Sequence, residues 1–345
     1  MQKLLTIVIP TYNMQDYLKR CLDSLLVEDE MMTRFEVLIV NDGSKDNSSA
    51  IGHEYESKYT EVFRVIDKEN ENYGSCVNRG LTEAQGKYIK VLDADDWFDT
   101  KAFCRFLCAL KDASADLILT PFNIVDAATG VASLAYHPSL KEGVAYKFAN
   151  CTYDDVGVYM MHAVTYRVEF LRSISYVQTK GISYTDIEWA YNPLYAVDTV
   201  AFYDCNVYQY LVGRAGQTMD PKVMVKTIDH HEIIARSLIE GMLKNHPEGF
   251  GKLTIERQIL YLLKTVYRTR LILQDANSFD SEAMRSFDHY LKEVRPDLYR
   301  KMGHLLLKPW IPVPYVAFWR IFGRRFPIDG IRTLYRNIRY GKHGD

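Results

Sequence analysis

The sequence predicts an α/β fold in which a mainly parallel sheet is flanked by helices and followed by a helical C-terminal region. Three observations carry that expectation. Short apolar runs at 4–9, 35–40, 62–66, 88–92 and 117–120 alternate with helical patterns near 15–26, 47–58, 75–84 and 99–111, the rhythm of strand–helix–strand units. The early runs end in polar punctuation, PTYN at 10–13, NDGS at 41–44 and DADD at 93–96. A parallel sheet holds its ligands at the carboxyl ends of its strands, so these clusters should meet on one rim. From about 222 to 300 the apolar spacing turns helical, through Ile233, Ile234, Leu238 and Met242 and again through Ile259, Leu260, Leu263 and Val266.

The chain of 345 residues is 48% hydrophobic and 25% charged, enough to build a folded core and two or three domains. We expect a principal domain over 1–220, with halves at 1–100 and 101–220, a helical region over 221–300 and a basic, aromatic tail over 301–345. The six cysteines show no CxxC or Cys/His ligand spacing, and no secretory stretch precedes the first strand. Reduced thiols and a cytoplasmic address are expected. The net charge of −2 conceals a tail with nine Lys/Arg against Asp329 and Asp345, a composition that fits nucleic acid or an anionic membrane surface.

Of the clusters, KYIKVLDADDWF at 87–98 is the most demanding. A buried-strand pattern runs straight into Asp93, Asp95 and Asp96, and crowded like charges repel unless a cation or proton neutralises them. Oxygen-only ligands favour magnesium or manganese. On an extended chain Asp93 and Asp95 point the same way and can face one cation. The competing reading makes Asp95 or Asp96 the cap of the helix beginning near 99. NDGS reads as a turn or as a site in which Asp42 accepts a hydrogen bond from a base or ribose.

Taken together and in this order, IVIPTYN, VLIVNDGSKDNS and ENENYGSCVNRGLTEAQGKYIKVLDADDWF resemble the family 2 glycosyltransferases of the GT-A (Rossmann-like) fold, closely over about 4–100 and weakly to about 220. The resemblance implies a nucleotide-diphosphate sugar donor, most often UDP-linked, and Mn2+ or Mg2+ on its diphosphate. It puts Pro10, Tyr12 and Asn13 at the base pocket, Asp42 at the base edge, Asn78 and Asp93 on the donor, and Asp95 on the metal. Residues 1–100 become the donor half and 101–220 the acceptor half. One departure matters: members often carry Ala-Arg-Asn before the glycine, whereas Cys76-Val77-Asn78-Arg79-Gly80 keeps Asn78 and Gly80 and moves the arginine one place.

An inverting transfer also needs a base for the acceptor hydroxyl. The family segment reads aromatic-Glu-Asp before a helix, and Tyr184-Thr185-Asp186 matches at its first and third places, which makes Asp186 the base. Thr185 or Asp186 could equally cap that helix, and the helix start should lower the Asp186 pKa. Glu188 should point to another helical face and be structural or acceptor-facing. The resemblance makes Arg214 a diphosphate contact, with Gln217 beside it. His137, His162, His230 and His231 form no metal motif.

The stretch 305–326 is broken by Lys308, Pro309, Pro312 and Pro314 before it reaches the ~20 apolar residues of a spanning helix. Its aromatics, mixed with Arg320, Arg324, Arg325, Arg332, Arg336 and Arg339, suit peripheral contact with an anionic membrane or packing on protein, a second copy included. The function expected is sugar transfer from a nucleotide sugar to a glycan or lipid-linked glycan acceptor at the inner face of the plasma membrane, without nucleic acid. Two rivals stand beside it. A non-catalytic sugar-nucleotide-binding regulatory module tolerates loss of the base, and a sugar-nucleotide nucleotidyltransferase wants a glycine-rich basic loop that PTYNMQDY lacks.

Overall fold

The computed structural model describes residues 3–214, 221–275, 278–308 and 311–327. Two compact units emerge: 1–218 with 237–256, and 219–236 with 257–345. Gln217, Arg332, Arg336 and Arg339 lie outside the described residues.

In the first unit the strands are, in chain order, β1 (Leu5–Thr11), β2 (Phe35–Asn41), β3 (Phe63–Asp67), β4 (Tyr88–Val91), β5 (Trp97–Phe98), β6 (Leu117–Leu119), β7 (Phe122–Asp126), β8 (Ala132–Tyr136), β9 (Ala145–Lys147), β10 (Val164–Arg167), β11 (Thr199–Phe202) and β12 (Tyr208–Val212). Eight form one sheet in the order β3-β2-β1-β4-β10-β6-β11-β9, and four form a second in the order β5-β12-β7-β8. β1 to β4 are mutually parallel, with β10 inserted antiparallel beside β4. Every residue of β1 and β2 is buried, as expected for strands covered by helices on both faces.

The helices Gln15–Asp23, Ser48–Lys58, Tyr73–Glu83 and Thr100–Leu110 fall where the apolar spacing predicts. Helix Tyr73–Glu83 lies close on β1: a Cβ at Gly80 would come within 2.4 Å of Val8, so only glycine allows that approach. Helix Thr100–Leu110 is capped by Asp99, whose Oδ1 accepts the Ala102 N–H at 2.8 Å, a contact that contributes about 1 kcal/mol. The cap expected of Asp95 or Asp96 thus belongs to the next aspartate along.

Register sets the level of the functional loops. Thr11 stands opposite Asn41 and Asn41 opposite Asp67, so β1, β2 and β3 end together. β4 ends opposite Val8, and a turn closed by the Asp96 N–H on the Asp93 carbonyl at 3.0 Å carries the chain into β5 of the second sheet. DADD is therefore the corner where the chain leaves one sheet for the other.

The second unit is built from helices that include Ser281–Val294, Pro296–Gly303 and Tyr315–Phe322, with the hairpin β13 (Leu306–Lys308) and β14 (Ile311–Pro314). One buried polar cluster there is paired: Arg320 grips Asp288 at 2.6 Å while the Tyr267 hydroxyl donates to the same carboxylate at 2.5 Å. No helix among the described residues is long and apolar enough to cross a membrane.

Candidate active site

The ends of β1, β2 and β3 frame a cleft of about 450 Å³ lined by Tyr12, Asn41, Gly43, Lys45, Asp67, Lys68, Glu69 and Asn70. Its walls are knitted together. The Asn13 Oδ1 accepts the Lys45 N–H at 2.8 Å, and the Asn13 N–H donates to Ser44 Oγ at 3.0 Å; Asn13 itself sits at φ 54°, a left-handed turn that asparagine tolerates. Tyr12 is half exposed at the mouth and Pro10 is buried in β1. Asp42 is buried, and its Oδ1 receives the Lys68 ammonium at 2.5 Å and the Glu71 N–H at 3.0 Å. Lys68 also donates to Ser75 Oγ at 3.0 Å, so it fixes Asp42 in place and offsets its buried charge.

The three acidic residues of the corner have separate fates. Asp96 is wholly buried and accepts the Tyr208 hydroxyl and the Leu211 N–H, both at 2.8 Å, which makes it a strut holding β12. Asp93 accepts the Tyr73 hydroxyl at 2.7 Å. Asp95 accepts the Arg214 guanidinium at 2.5 Å, and Arg20 donates to its carbonyl at 2.7 Å. The extended chain on which Asp93 and Asp95 were expected to point the same way is absent there: the strand stops at Val91 and both belong to the turn that follows. Burial, and then the neighbouring Asp95, hold the Asp93 carboxyl above its ordinary range, while the Tyr73 hydrogen bond opposes the rise.

The Asp186 charge is felt at Asp93 as well. This second carboxylate opens the helix Asp186–Tyr191, and burial pushes its pKa up to about 6, against the pull of the Ile187 N–H and its own. The expectation that the helix start lowers it is overturned: desolvation outweighs the terminus of a helix only six residues long. Thr185 makes no side-chain cap. Glu188 is buried, and its two oxygens accept the Thr179 N–H and hydroxyl, both at 2.8 Å.

Arg214 follows β12 and, besides Asp95, lies over the Tyr17 ring at 5.2 Å. The displaced Arg79 points outward to Glu83 at 2.8 Å. Asn78, expected on the donor, instead gives its amide to a distant backbone: Nδ2 donates to the Gln178 carbonyl at 2.9 Å and Oδ1 accepts the Gln178 N–H at 2.7 Å.

Two residues, Tyr73 and Lys90, escaped sequence reasoning, and a third, His162, was expected to join no metal motif. Tyr73 sits in ENENYGSC with nothing to mark its reach to Asp93. Lys90 is fully buried in β4, where its ammonium donates to the carbonyls of His162 at 2.8 Å and Val164 at 3.1 Å, and burial lowers its pKa to about 7. A lysine inside an apolar run was the available signal. His162 stacks on Tyr210 at 4.1 Å between centroids. Asp93, Asp96 and His162 bring candidate ligand atoms within 4.8 Å of one another, a grouping that no local spacing announces.

Carboxylate oxygens fit a hard divalent cation; those that stand together with another candidate ligand here are on Asp93 and Asp96, beside His162, while Asp95 is paired with Arg214. A cation at Asp93 would also offset the Asp95 charge that, after burial, raises it.

The family model of Glycosyl transferase family 2 matches residues 6–175. Over 104 residues the chain is 46% identical to the "uncharacterized glycosyltransferase MG025 homolog" of Mycoplasma pneumoniae, covering 30% of this chain and 34% of that protein. It is 33% identical over 116 residues to the poly(ribitol-phosphate) beta-glucosyltransferase of Bacillus spizizenii, covering 33% of this chain and 18% of that one. The matched stretch thus spans about a third or less of these relatives' length. The structure of residues 1–349 of S. aureus TarS in complex with UDP-GlcNAc superposes with a TM-score of 0.67 at 17% identity, covering 99% of this chain and 93% of that one.

Proposed function

The chain belongs to glycosyl transferase family 2, and on that premise we propose that it is an inverting glycosyltransferase that moves a sugar from a UDP-linked donor to a hydroxyl of a surface-polysaccharide or glycolipid acceptor. The observation that carries this reading is that one helix serves both carboxylates: its Tyr73 donates to Asp93, and its Asn78 pairs with Gln178 in the loop that leads to Asp186.

In this reading the base lies in the cleft beside Tyr12, its edge read by Asp42, while Asn13 keeps the two loops together. Asp93 and Asp95 would hold a divalent ion, which would supply Lewis-acid neutralisation at the leaving diphosphate. Arg214, beside Asp95, adds a guanidinium to the same phosphates. Asp186 takes the proton of the acceptor hydroxyl as its oxygen attacks the anomeric carbon. The bond from that carbon to the phosphate oxygen breaks, and the nucleoside diphosphate leaves with the electron pair. A base with a pKa of about 6 is ionised at neutral pH and still basic enough to accept that proton.

Support for a polymeric, phosphate-rich acceptor comes from the ribitol-phosphate relative. Support for membrane contact comes from helix Tyr315–Phe322, where Ile321 and Phe322 are 73% and 58% exposed and the exposed Arg324 follows Gly323, while Arg325 is bound to the Leu271 and Gln274 carbonyls. Pelleting with phosphatidylglycerol vesicles should fall on Ile321→Asp with Phe322→Asp and weaken at high salt; binding indifferent to both changes would dismiss the membrane.

The test of the whole reading is a donor screen with the full chain and manganese: UDP-glucose, UDP-galactose, UDP-GlcNAc and GDP-mannose, read by calorimetry and by donor hydrolysis. One UDP sugar should bind best and be turned over. Absence of binding by every sugar nucleotide would end the proposal.

A further inference from the structure

The loop that leads into Asp186 is fastened to the donor side of the sheet by contacts from two directions. From helix Tyr73–Glu83, the Asn78 amide pairs with both backbone groups of Gln178, one hundred residues away. Beside it, a Cβ on Gly74 would stand 2.2 Å from the Thr179 carbonyl, so the two backbones meet there directly. Just before that helix, the Glu71 carbonyl accepts the Gly181 N–H at 2.9 Å, and the Glu71 carboxylate holds Lys180 at 3.2 Å. From the other direction, Glu188 returns from the helix that Asp186 opens and takes both donors of Thr179.

Residues 178 and 179 are thus gripped by Asn78 on one side and by Glu188 on the other. The same stretch of chain that carries Asn78 carries Tyr73, which holds Asp93. A charge-assisted pair of hydrogen bonds to a carboxylate that is 1% exposed is a stiff link, and an amide matched to both groups of one peptide resists rotation and sliding.

Resting on Asp186 as the base, we infer that Asn78 and Glu188 are positioning residues: through Gln178 and Thr179 they fix where Asp186 stands relative to Asp93. Asn78 therefore serves the base, and the departure that moved the arginine to Arg79 left its neighbour's task intact. Transfer demands this registration, because a displacement of about 1 Å between reacting groups costs on the order of 10²-fold.

The experiment uses the full chain with manganese and whichever sugar nucleotide of the screening panel it hydrolyses fastest, comparing Asn78→Ala, Glu188→Gln, Asp186→Asn and the milder Thr179→Val. Positioning predicts that kcat falls at least ~10-fold in Asn78→Ala and Glu188→Gln and a few-fold in Thr179→Val, with donor KM within about threefold of the parent throughout. Amide exchange at Gln178 and Thr179 should accelerate in step. Should the first two variants unfold, Thr179→Val alone decides by the same split between kcat and KM. A raised KM with kcat unchanged overturns the inference and returns Asn78 to the donor. Normal turnover in the clamp variants beside an inactive Asp186→Asn overturns it too, whereas full turnover in Asp186→Asn removes the base reading itself.

Discussion

Asp93 and Asp186 are both carboxylates held above their ordinary range, yet for different reasons. At Asp93, burial is joined by a second acid two residues away; at Asp186, burial is opposed only by backbone N–H groups at the start of a short helix. A crowd of acids is relieved by a cation, which neutralises several at once. A solitary desolvated acid is relieved by a proton. On the proposed reading, the contrast separates a carboxylate that would meet a metal at the leaving diphosphate from one that would deprotonate an incoming hydroxyl.

The largest test of that contrast is to remove the proton acceptor alone. Asp186→Asn keeps shape and should lower transfer by ~10²–10⁴-fold, the range for general acid–base catalysis, with donor affinity within a few-fold because the base acts on the acceptor. Steady-state transfer and donor calorimetry on the same protein check it; loss of donor affinity would merge the two sites into one. The opposite perturbation, Asp95→Asn or chelator, should weaken UDP-sugar binding at least ~10-fold, since a magnesium-like ion bridges one or two carboxylates to substrate phosphates. Donor affinity unmoved by chelator would cost Asp95 its metal.

The donor side was far more legible in sequence than the base side, and the reason is topological. Strands β1 to β4 and their helices are local patterns, and the parallel sheet stacks their ends in register, so PTYN, NDGS and DADD could be assigned to one rim from spacing alone. The second sheet could not, since β5 has two residues and pairs with β12 over a hundred positions away. Asp96 reads in sequence as one more acid of the cluster, and that it also braces β12 is decided by that distant strand. The pairing of Asn78 was hidden for the same reason: its partner, Gln178, has no local signature. Tyr73, Lys90 and His162 likewise acquire their surroundings only when β10 and the 176–186 loop come home.

A pH profile sharpens the contrast at moderate size. With the Asp186 pKa at about 6, transfer should be level above pH 7 and fall toward tenfold per unit below pH 6 as the base is protonated. Asp186→Asn should flatten that acid limb at its low residual rate. An acid limb that persists unchanged in the variant would assign the titration to another group.

The smallest effect is one of stability, and its sign follows from a raised pKa. The folded pKa of Asp186, about 6, lies above the ordinary value of 3.8. Below pH 4 the group is protonated in both folded and unfolded chains and contributes nothing. Between pH 4 and 6 the folded chain binds the extra proton, so stability declines as pH rises, and above pH 6 the whole penalty of a desolvated charge is present. Asp186→Asn imitates the protonated form and removes that penalty. A shift of this size corresponds to under ~3 kcal/mol, and the asparagine forfeits the hydrogen bonds that backbone N–H groups give the carboxylate. The variant should therefore be more stable than the parent by ~1–2 kcal/mol at pH 7.5, a gain that vanishes at pH 4. Urea unfolding of both proteins at the two pH values measures it. An inactive Asp186→Asn that is no more stable at pH 7.5 would mean the carboxylate is well solvated, and the distinction between a proton site and a cation site would then have to rest on Asp93 and Asp95 alone.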